Sequence, residues 1–90
     1  MNFIYETNKI YAKNEDGKII AEVDFPPVDE QTVEIMHTFV DDSLRGQGVA
    51  AKLMQAAADT VRKQGKKARL TCSYAVKWFE KNSEQQDLIQ

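Results

Sequence analysis

The chain has 90 residues with 42% hydrophobic and 29% charged residues, a composition typical of one small globular domain, and its single cysteine excludes an internal disulfide. No apolar run approaches the roughly 20 residues of a membrane-spanning helix, and the first residues lack the basic and apolar regions of a secretory signal, so we expect no membrane partner and a reducing, cytoplasmic location. The net charge of −2 and the pI near 5.3 argue against nucleic acid as a partner.

The first two predicted strands form a hairpin. Polar and apolar side chains alternate in residues 9–13, KIYAK, and less cleanly in residues 18–25, KIIAEVDF. Asp16-Gly17 between them is a strong turn signal. Pro26-Pro27 then ends the second strand, because proline has no N–H to donate to a neighbouring strand.

A third strand is predicted over residues 32–40, TVEIMHTFV. Strict alternation would place Val33, Ile35, His37 and Phe39 on one face. Because both faces carry apolar side chains, we expect this strand to be central in the sheet.

The C-terminal half is predicted to contain two helices and one more strand. Apolar residues at 49, 50, 53, 54, 57 and 61 make an amphipathic helix of residues 48–64, and Gly65 fits its C-terminal end. A strand over 67–73 and a short helix over 75–82 follow, and we expect a partly loose tail after them. The order β-β-β-α-β-α predicts one α/β domain over residues 1–90, with antiparallel N-terminal strands followed by a parallel, right-handed βαβ unit.

The loop before the long helix reads Arg45-Gly46-Gln47-Gly48. The first N–H groups of a helix have no partner within the helix, the helix dipole adds partial positive charge there, and glycine lets a ligand approach the backbone. With Arg45 as a fixed cation, the loop could hold a diphosphate. The alternative is that both glycines only shape a turn.

The run Arg45-Gly46-Gln47-Gly48-Val49-Ala50 resembles the [RQ]-x-x-G-x-[GA] motif of the GNAT superfamily of acyl-coenzyme-A-dependent N-acetyltransferases. The resemblance implies that loop amides bind the coenzyme A pyrophosphate and that acetyl-CoA is the cosubstrate. The cofactor-binding residues that it implies are Thr38, Phe39, Val40, Arg45, Gly46, Gln47, Gly48, Val49, Ala50 and Lys77. Contact with the 3′-phosphate would fall to Arg45, Lys52 or Lys77.

Residues 72–81, CSYAVKWFEK, are similar to the N-x-x-A-x-x-F-Y-E-K pattern that many GNAT proteins carry after the next strand. Cys72 replaces the usual asparagine, and Phe79 replaces the tyrosine that often protonates the leaving thiolate. Together with the H-T-x-V-x-x-x-L-x-G-Q-G-V-A run, this segment resembles the small single-domain GNAT-like family often called YjdJ-type. Members of that family carry a cysteine and a histidine at the positions of Cys72 and His37.

Cys72 and His37 lie on strands that the βαβ unit brings into one sheet. A thiol and an imidazole that meet could form an activated nucleophile, with Cys72 accepting the acetyl group and His37 acting as the base for Cys72 or for the incoming amine. The alternatives are a buried, unreactive cysteine and a hydrogen-bonded core histidine. No metal site is predicted, because one cysteine and one histidine do not make a ligand set.

Three functions remain open from the sequence. The first is an acetyl-CoA-dependent N-acetyltransferase acting on a protein lysine, a protein N-terminus or a small amine, as a monomer or weak dimer. The second is a coenzyme A-binding module without activity, and the third is an interaction domain. Residues 1–42 carry a charge of −7 (three basic, ten acidic) and residues 43–90 carry +5 (nine basic, four acidic), so an anion should prefer the second half and a cationic amine the first.

Overall fold

Strands dominate the N-terminal half and helices the C-terminal half in the computed structural model, which describes all 90 residues. The strands are β1 (Ile4–Glu6), β2 (Lys9–Lys13), β3 (Ile19–Asp24), β4 (Thr32–Ile35), β5 (His37–Val40) and β6 (Lys67–Leu70). The helices are α1 (Val49–Lys63) and α2 (Ser73–Lys81), with short 3-10 helices at Asp42–Leu44 and Ser83–Leu88. Neither α-helix has the length and apolarity that crossing a bilayer would require.

The predicted α/β order is confirmed, with an additional strand, β1, at the N-terminus. Its three residues are too few to show an alternation that sequence reading can detect. β1 pairs antiparallel with β2 at the edge of the sheet. Asn8, in the turn between them, is fixed to Phe25, because the Asn8 side-chain amide donates to the Phe25 carbonyl at 2.9 Å and the Phe25 N–H donates to the Asn8 carbonyl at 2.9 Å.

The predicted β2–β3 hairpin is confirmed together with its turn. The Asn14 side chain accepts hydrogen bonds from the N–H groups of Asp16 and Lys18, at 2.9 and 3.0 Å. Gly17 has a φ of +82°, which a residue with a Cβ adopts only at a cost. The Asp16-Gly17 pair therefore closes the loop as its sequence predicts.

The third predicted strand is divided at Met36 into two strands with different neighbours. β4 pairs in parallel with β6, while β5 pairs antiparallel with β3. The strands therefore form a four-stranded antiparallel sheet in the order β1-β2-β3-β5 and a two-stranded parallel sheet of β4 and β6. An isolated bridge between Pro27 and Val33 links β4 to the chain after β3, and there the Glu34 N–H donates to the Pro26 carbonyl at 2.9 Å. β5 ends its sheet, so its second edge has no neighbouring strand.

The division at Met36 changes which side chains are buried, and the predicted shared face is therefore wrong. Val33 and Ile35 have no exposed surface, whereas His37 and Phe39 are exposed. Strict alternation fails because it holds only within one uninterrupted strand.

α1 lies across the inner face of the sheet and carries most of the helical core. Its boundaries agree with the predicted 48–64 to within one residue. The buried side of the helix consists of Val49, Leu53, Met54, Ala56, Ala57, Ala58 and Val61. Gly65, with a φ of +70°, ends the helix: its N–H donates to Arg62 and that of Lys66 donates to Val61, which is the Schellman arrangement.

The tail after α2 is docked on the body of the protein, so the prediction of a partly loose tail is wrong. Leu88 is buried in the core, and Ile89 forms a parallel bridge with Ala68 of β6. The Arg62 guanidinium donates to both carboxylate oxygens of Asp87, at 2.5 and 3.1 Å. Apolar burial and a two-pronged ion pair together hold the tail.

Candidate functional site

The loop between β5 and α1 owes its shape to its two glycines. Gly46 and Gly48 have φ values of +81° and +69°, and no atom lies within 4 Å of the position where a side chain would begin on either. Both glycines therefore give the loop its turn shape. It is also compatible with a binding role, because the space above both residues is open.

The loop and the start of α1 present several backbone N–H groups without a protein acceptor. Gly46 and Gly48 donate to no protein group, and neither do the first three residues of α1, Val49 to Ala51. Gln47 differs, because its N–H donates to the Leu44 carbonyl at 3.2 Å. Free N–H groups at the positive end of a 15-residue helix form a place where an anion is favoured.

Charged side chains around the loop are held in different ways. The Arg45 guanidinium lies 2.9 Å from Asp42, and both side chains are largely exposed, so the pair is worth little and leaves Arg45 free to bind an anion. Asp41 is held in place by the Ser43 hydroxyl and N–H, whose hydrogen bonds lower its pKa. Lys52 on α1 and Lys77 on α2 are exposed.

Cys72 lies just after β6, at the point where this segment of the chain separates from β5. The N–H groups of Thr71 and Cys72 both donate to the Ile35 carbonyl at 3.2 Å. These are the last backbone hydrogen bonds between the two segments before they separate. The Cys72 sulfur then lies 3.6 Å from the hydroxyl oxygen of Thr38, where the thiol can donate a hydrogen bond. Thr38 and Val40 are half-buried, whereas Phe39 is exposed on the other face of β5.

The Cys72 thiol has a pKa below its ordinary value. Burial raises this pKa, but the N–H groups of Ala75 and Tyr74 at the start of α2 and the hydroxyl and N–H of Thr38 lower it by more. Cys72 is the residue immediately before α2, although its sulfur makes no full capping hydrogen bond there. The helix terminus thus favours the thiolate, the nucleophilic form of cysteine.

The structure does not bring His37 to Cys72. Thr38, the neighbour of His37 on β5, contacts the sulfur, and successive side chains of a strand project to opposite faces. His37 instead lies opposite Asp24 in the β3–β5 register, on the outer face of the sheet, with Glu22 beside it. The predicted histidine is exposed and does not belong to the core.

Glu22 and Asp24 are functional candidates that sequence reading missed. Burial raises the pKa of Glu22, and the hydrogen bond and negative charge of Asp24 raise it further. Their i, i+2 spacing on a predicted strand was a detectable signal, but their proximity to His37 depends on strand pairing.

Two aromatic residues of α2 belong to the core. Trp78 and Phe79 pack edge to face with ring centres 5.0 Å apart, and both are buried. Phe79 therefore fills a core position and offers no hydroxyl group that could donate a proton. The larger surface cavity, of about 450 Å³, lies away from the loop, between Tyr5 and the C-terminal half of α1.

Comparisons with known proteins give one consistent result. Residues 9–88 match the sequence profile of the GCN5-related N-acetyl-transferase family. A GCN5-like protein from Staphylococcus aureus, whose structure was solved by NMR, is 32% identical; the match covers 99% of this chain and 87% of that protein, with a TM-score of 0.80.

Two further relatives match smaller parts of their own lengths. The GNAT family N-acetyltransferase YhbS from Escherichia coli, solved in complex with CoA, is 30% identical with a TM-score of 0.57, over 64% of this chain and 35% of that protein. Protein NATD1 from Xenopus tropicalis is 44% identical over 55 residues, 61% of this chain and 50% of NATD1. The match thus spans about half the length of this curated relative.

Proposed function

This chain belongs to the GCN5-related N-acetyl-transferase family, and from that premise we propose that it transfers an acetyl group from acetyl-CoA to an amine. The observation that carries the proposal is the separation of β5 from the segment after β6, with the glycine loop at one end and Cys72 beside it. A long, anionic thioester needs such an arrangement, which combines an anion site with an open strand edge leading to the reacting group.

The residues present fit coenzyme A. The free N–H groups of Gly46 and of residues 48–51 would hold the pyrophosphate, and Arg45 would add a guanidinium to it. The unpaired edge of β5, including Thr38 and Val40, offers backbone groups to the amides of the pantetheine arm. We assign the 3′-phosphate to Arg45, Lys52 or Lys77.

Acetyl transfer could proceed through Cys72. The thiolate would add to the thioester carbonyl and expel the coenzyme A thiolate, which leaves as the thiol after taking up a proton. A neutral amine would then attack the S-acetyl group, lose a proton and regenerate the Cys72 thiol. In the second route the amine attacks acetyl-CoA directly, with no bond to Cys72.

The role of His37 as a base stays a prediction, limited by its position. Since His37 lies on the face of β5 opposite Cys72, we propose it as a base only in the direct route, where the amine needs no contact with Cys72. The negative charge of residues 1–42 would attract a cationic lysine side chain, N-terminus or polyamine before it loses its proton. Because a thiol nucleophile needs a reducing compartment, we propose a cytoplasmic location.

Calorimetric titration with acetyl-CoA, comparing wild type with Gly48→Glu, tests the binding site. The added carboxylate would occupy and repel the phosphate position, so we expect at least a tenfold loss of affinity, on the order of 1.4 kcal/mol or more. Gly17→Glu is the matched control, since Gly17 also has a positive φ of +82° with no atom within 4 Å of a new side chain, but lies in the β2–β3 turn. Circular dichroism would verify that both variants fold.

The outcome separates the functions that the sequence left open. Unchanged binding by Gly48→Glu would rule out the loop as the pyrophosphate site, and absence of binding by wild type would rule out the acetyltransferase. Binding without turnover on polyamines or lysine peptides would favour a coenzyme A-binding module instead. An acetyl group on Cys72, seen in the intact mass after incubation with acetyl-CoA and lost in Cys72→Ala, would support the covalent route.

A further inference from the structure

Three side chains that can bind metals converge on the outer face of the sheet, opposite α1. Glu22 and Asp24 are two residues apart on β3 and therefore share a face, and His37 lies directly opposite Asp24 on β5. One ligand atom from each side chain lies within 4.8 Å of those of the other two. The pairing of β3 with β5 thus places two carboxylates and one imidazole around a common volume.

The protein leaves this cluster incompletely satisfied. The Oδ1 atom of Asp24 is buried and has no hydrogen-bond partner. The nearest cation is the Lys9 ammonium, 3.9 Å from Glu22 and at the outer limit of an ion pair. A buried carboxylate oxygen without a partner costs free energy, which a bound cation would offset.

We propose that Glu22, Asp24 and His37 bind a divalent transition-metal ion, for which Zn²⁺ is the best match. Zn²⁺ accepts imidazole nitrogen and carboxylate oxygen at about 2.0–2.2 Å and imposes no geometric preference of its own. Donor atoms within 4.8 Å of one another can reach such distances by side-chain rotation. Because His37 is exposed, a fourth position would remain open to water or a ligand.

The sequence predicted no metal site, because Cys72 and His37 alone do not make a ligand set. The carboxylates come from a different strand and join His37 only through the sheet. The metal site does not depend on the acetyltransferase proposal, although a bound ion would occupy a ring nitrogen that His37 needs to act as a base.

The first test is calorimetric titration of chelator-treated protein with Zn²⁺ in a thiol-free buffer. We expect one ion per chain, with affinity for Zn²⁺ reduced more than about tenfold in Asp24→Asn and in His37→Ala. Loss of a group that only hydrogen-bonds to a metal ligand typically reduces affinity about 10–100-fold, and loss of the ligand itself should reduce it at least as much. Cys72→Ser is the control, since Cys72 is the only thiol and the obvious competing ligand. This variant should bind like wild type.

A second measurement uses wild type alone and does not depend on how the variants fold. His37 is the only histidine, so its ring resonances in an NMR spectrum belong to one residue. One equivalent of Zn²⁺ should shift these resonances and suppress their titration with pH. Unshifted ring resonances would overturn the proposal, and so would the absence of saturable binding or binding that is lost in Cys72→Ser but kept in His37→Ala.

Discussion

The sulfur of Cys72 illustrates how several local influences compete at a single residue. Burial disfavours the thiolate, while the N–H groups at the start of α2 and the polar groups of Thr38 favour it, and the second set prevails. A cysteine that is half-buried with a lowered pKa differs from the inert core cysteine that composition alone suggests. This residue therefore remains a candidate nucleophile without a histidine beside it.

We expect Thr38→Val to raise the pKa of Cys72, because the substitution removes the hydroxyl that stabilises the thiolate but keeps the shape of the side chain. The rate of alkylation by iodoacetamide, measured against pH, should rise at higher pH than in wild type. Thr71→Val is the control, since Thr71 is hydrogen-bonded to Glu34 at 2.9 Å and does not contact the sulfur. An unchanged alkylation profile in Thr38→Val would contradict a role of the hydroxyl and leave the N–H groups of Thr38, Tyr74 and Ala75 as the cause of the lowered pKa.

The division of one long predicted strand at Met36 has the largest functional consequence among the elements. β4 pairs in parallel with β6, whereas β5 pairs only with β3. The change of phase at Met36 turns His37 outward toward Glu22 and Asp24, and turns Thr38 toward Cys72. Both candidate sites therefore depend on the same irregularity.

The C-terminal tail is held to α1 by an ion pair, in which the Arg62 guanidinium donates two hydrogen bonds to the Asp87 carboxylate. Asp87→Asn should lower the midpoint of thermal unfolding modestly at neutral pH, since both groups are exposed at the surface. Glu84→Gln, an exposed change in the same 3-10 helix without an ion pair, is the control. Equal midpoints for the two variants would contradict a role of the ion pair in docking the tail.

The pH dependence of this effect has a definite sign. Hydrogen bonds from Arg62 lower the pKa of Asp87 in the folded state, so the pair stabilises the protein above the unfolded pKa, about 3.9. This contribution is lost as the pH falls through the folded pKa. The difference between wild type and Asp87→Asn should therefore be constant near neutral pH and disappear in acid, which thermal melts over a pH series would reveal.

One core of 19 buried residues supports all the elements of the protein. Leu53 lies in the N-terminal half of α1 and has no exposed surface, so Leu53→Ala should lower the free energy of unfolding by about 2–5 kcal/mol. For a chain of this length that is a large part of a total of roughly 5–13 kcal/mol. Urea denaturation measures the loss, with Lys52→Ala as the exposed neighbouring control, and a loss below about 1 kcal/mol would contradict the core position.

Features that depend on neighbours along the chain could be predicted from the sequence. These include the turn at Asp16-Gly17, the glycine loop before α1, the boundaries of α1 and the α/β order. Turn chemistry and helical periodicity act over a few residues, so they can be read directly from the sequence.

Which distant side chains meet depends on the tertiary structure. It placed Thr38 at Cys72 in place of the expected His37, joined His37 to Glu22 and Asp24, and docked a tail that was expected to be loose. These results depend on strand pairing and on the phase of the chain after Met36. Register is set by packing across the whole sheet, and a shift of one residue moves every following side chain to the opposite face.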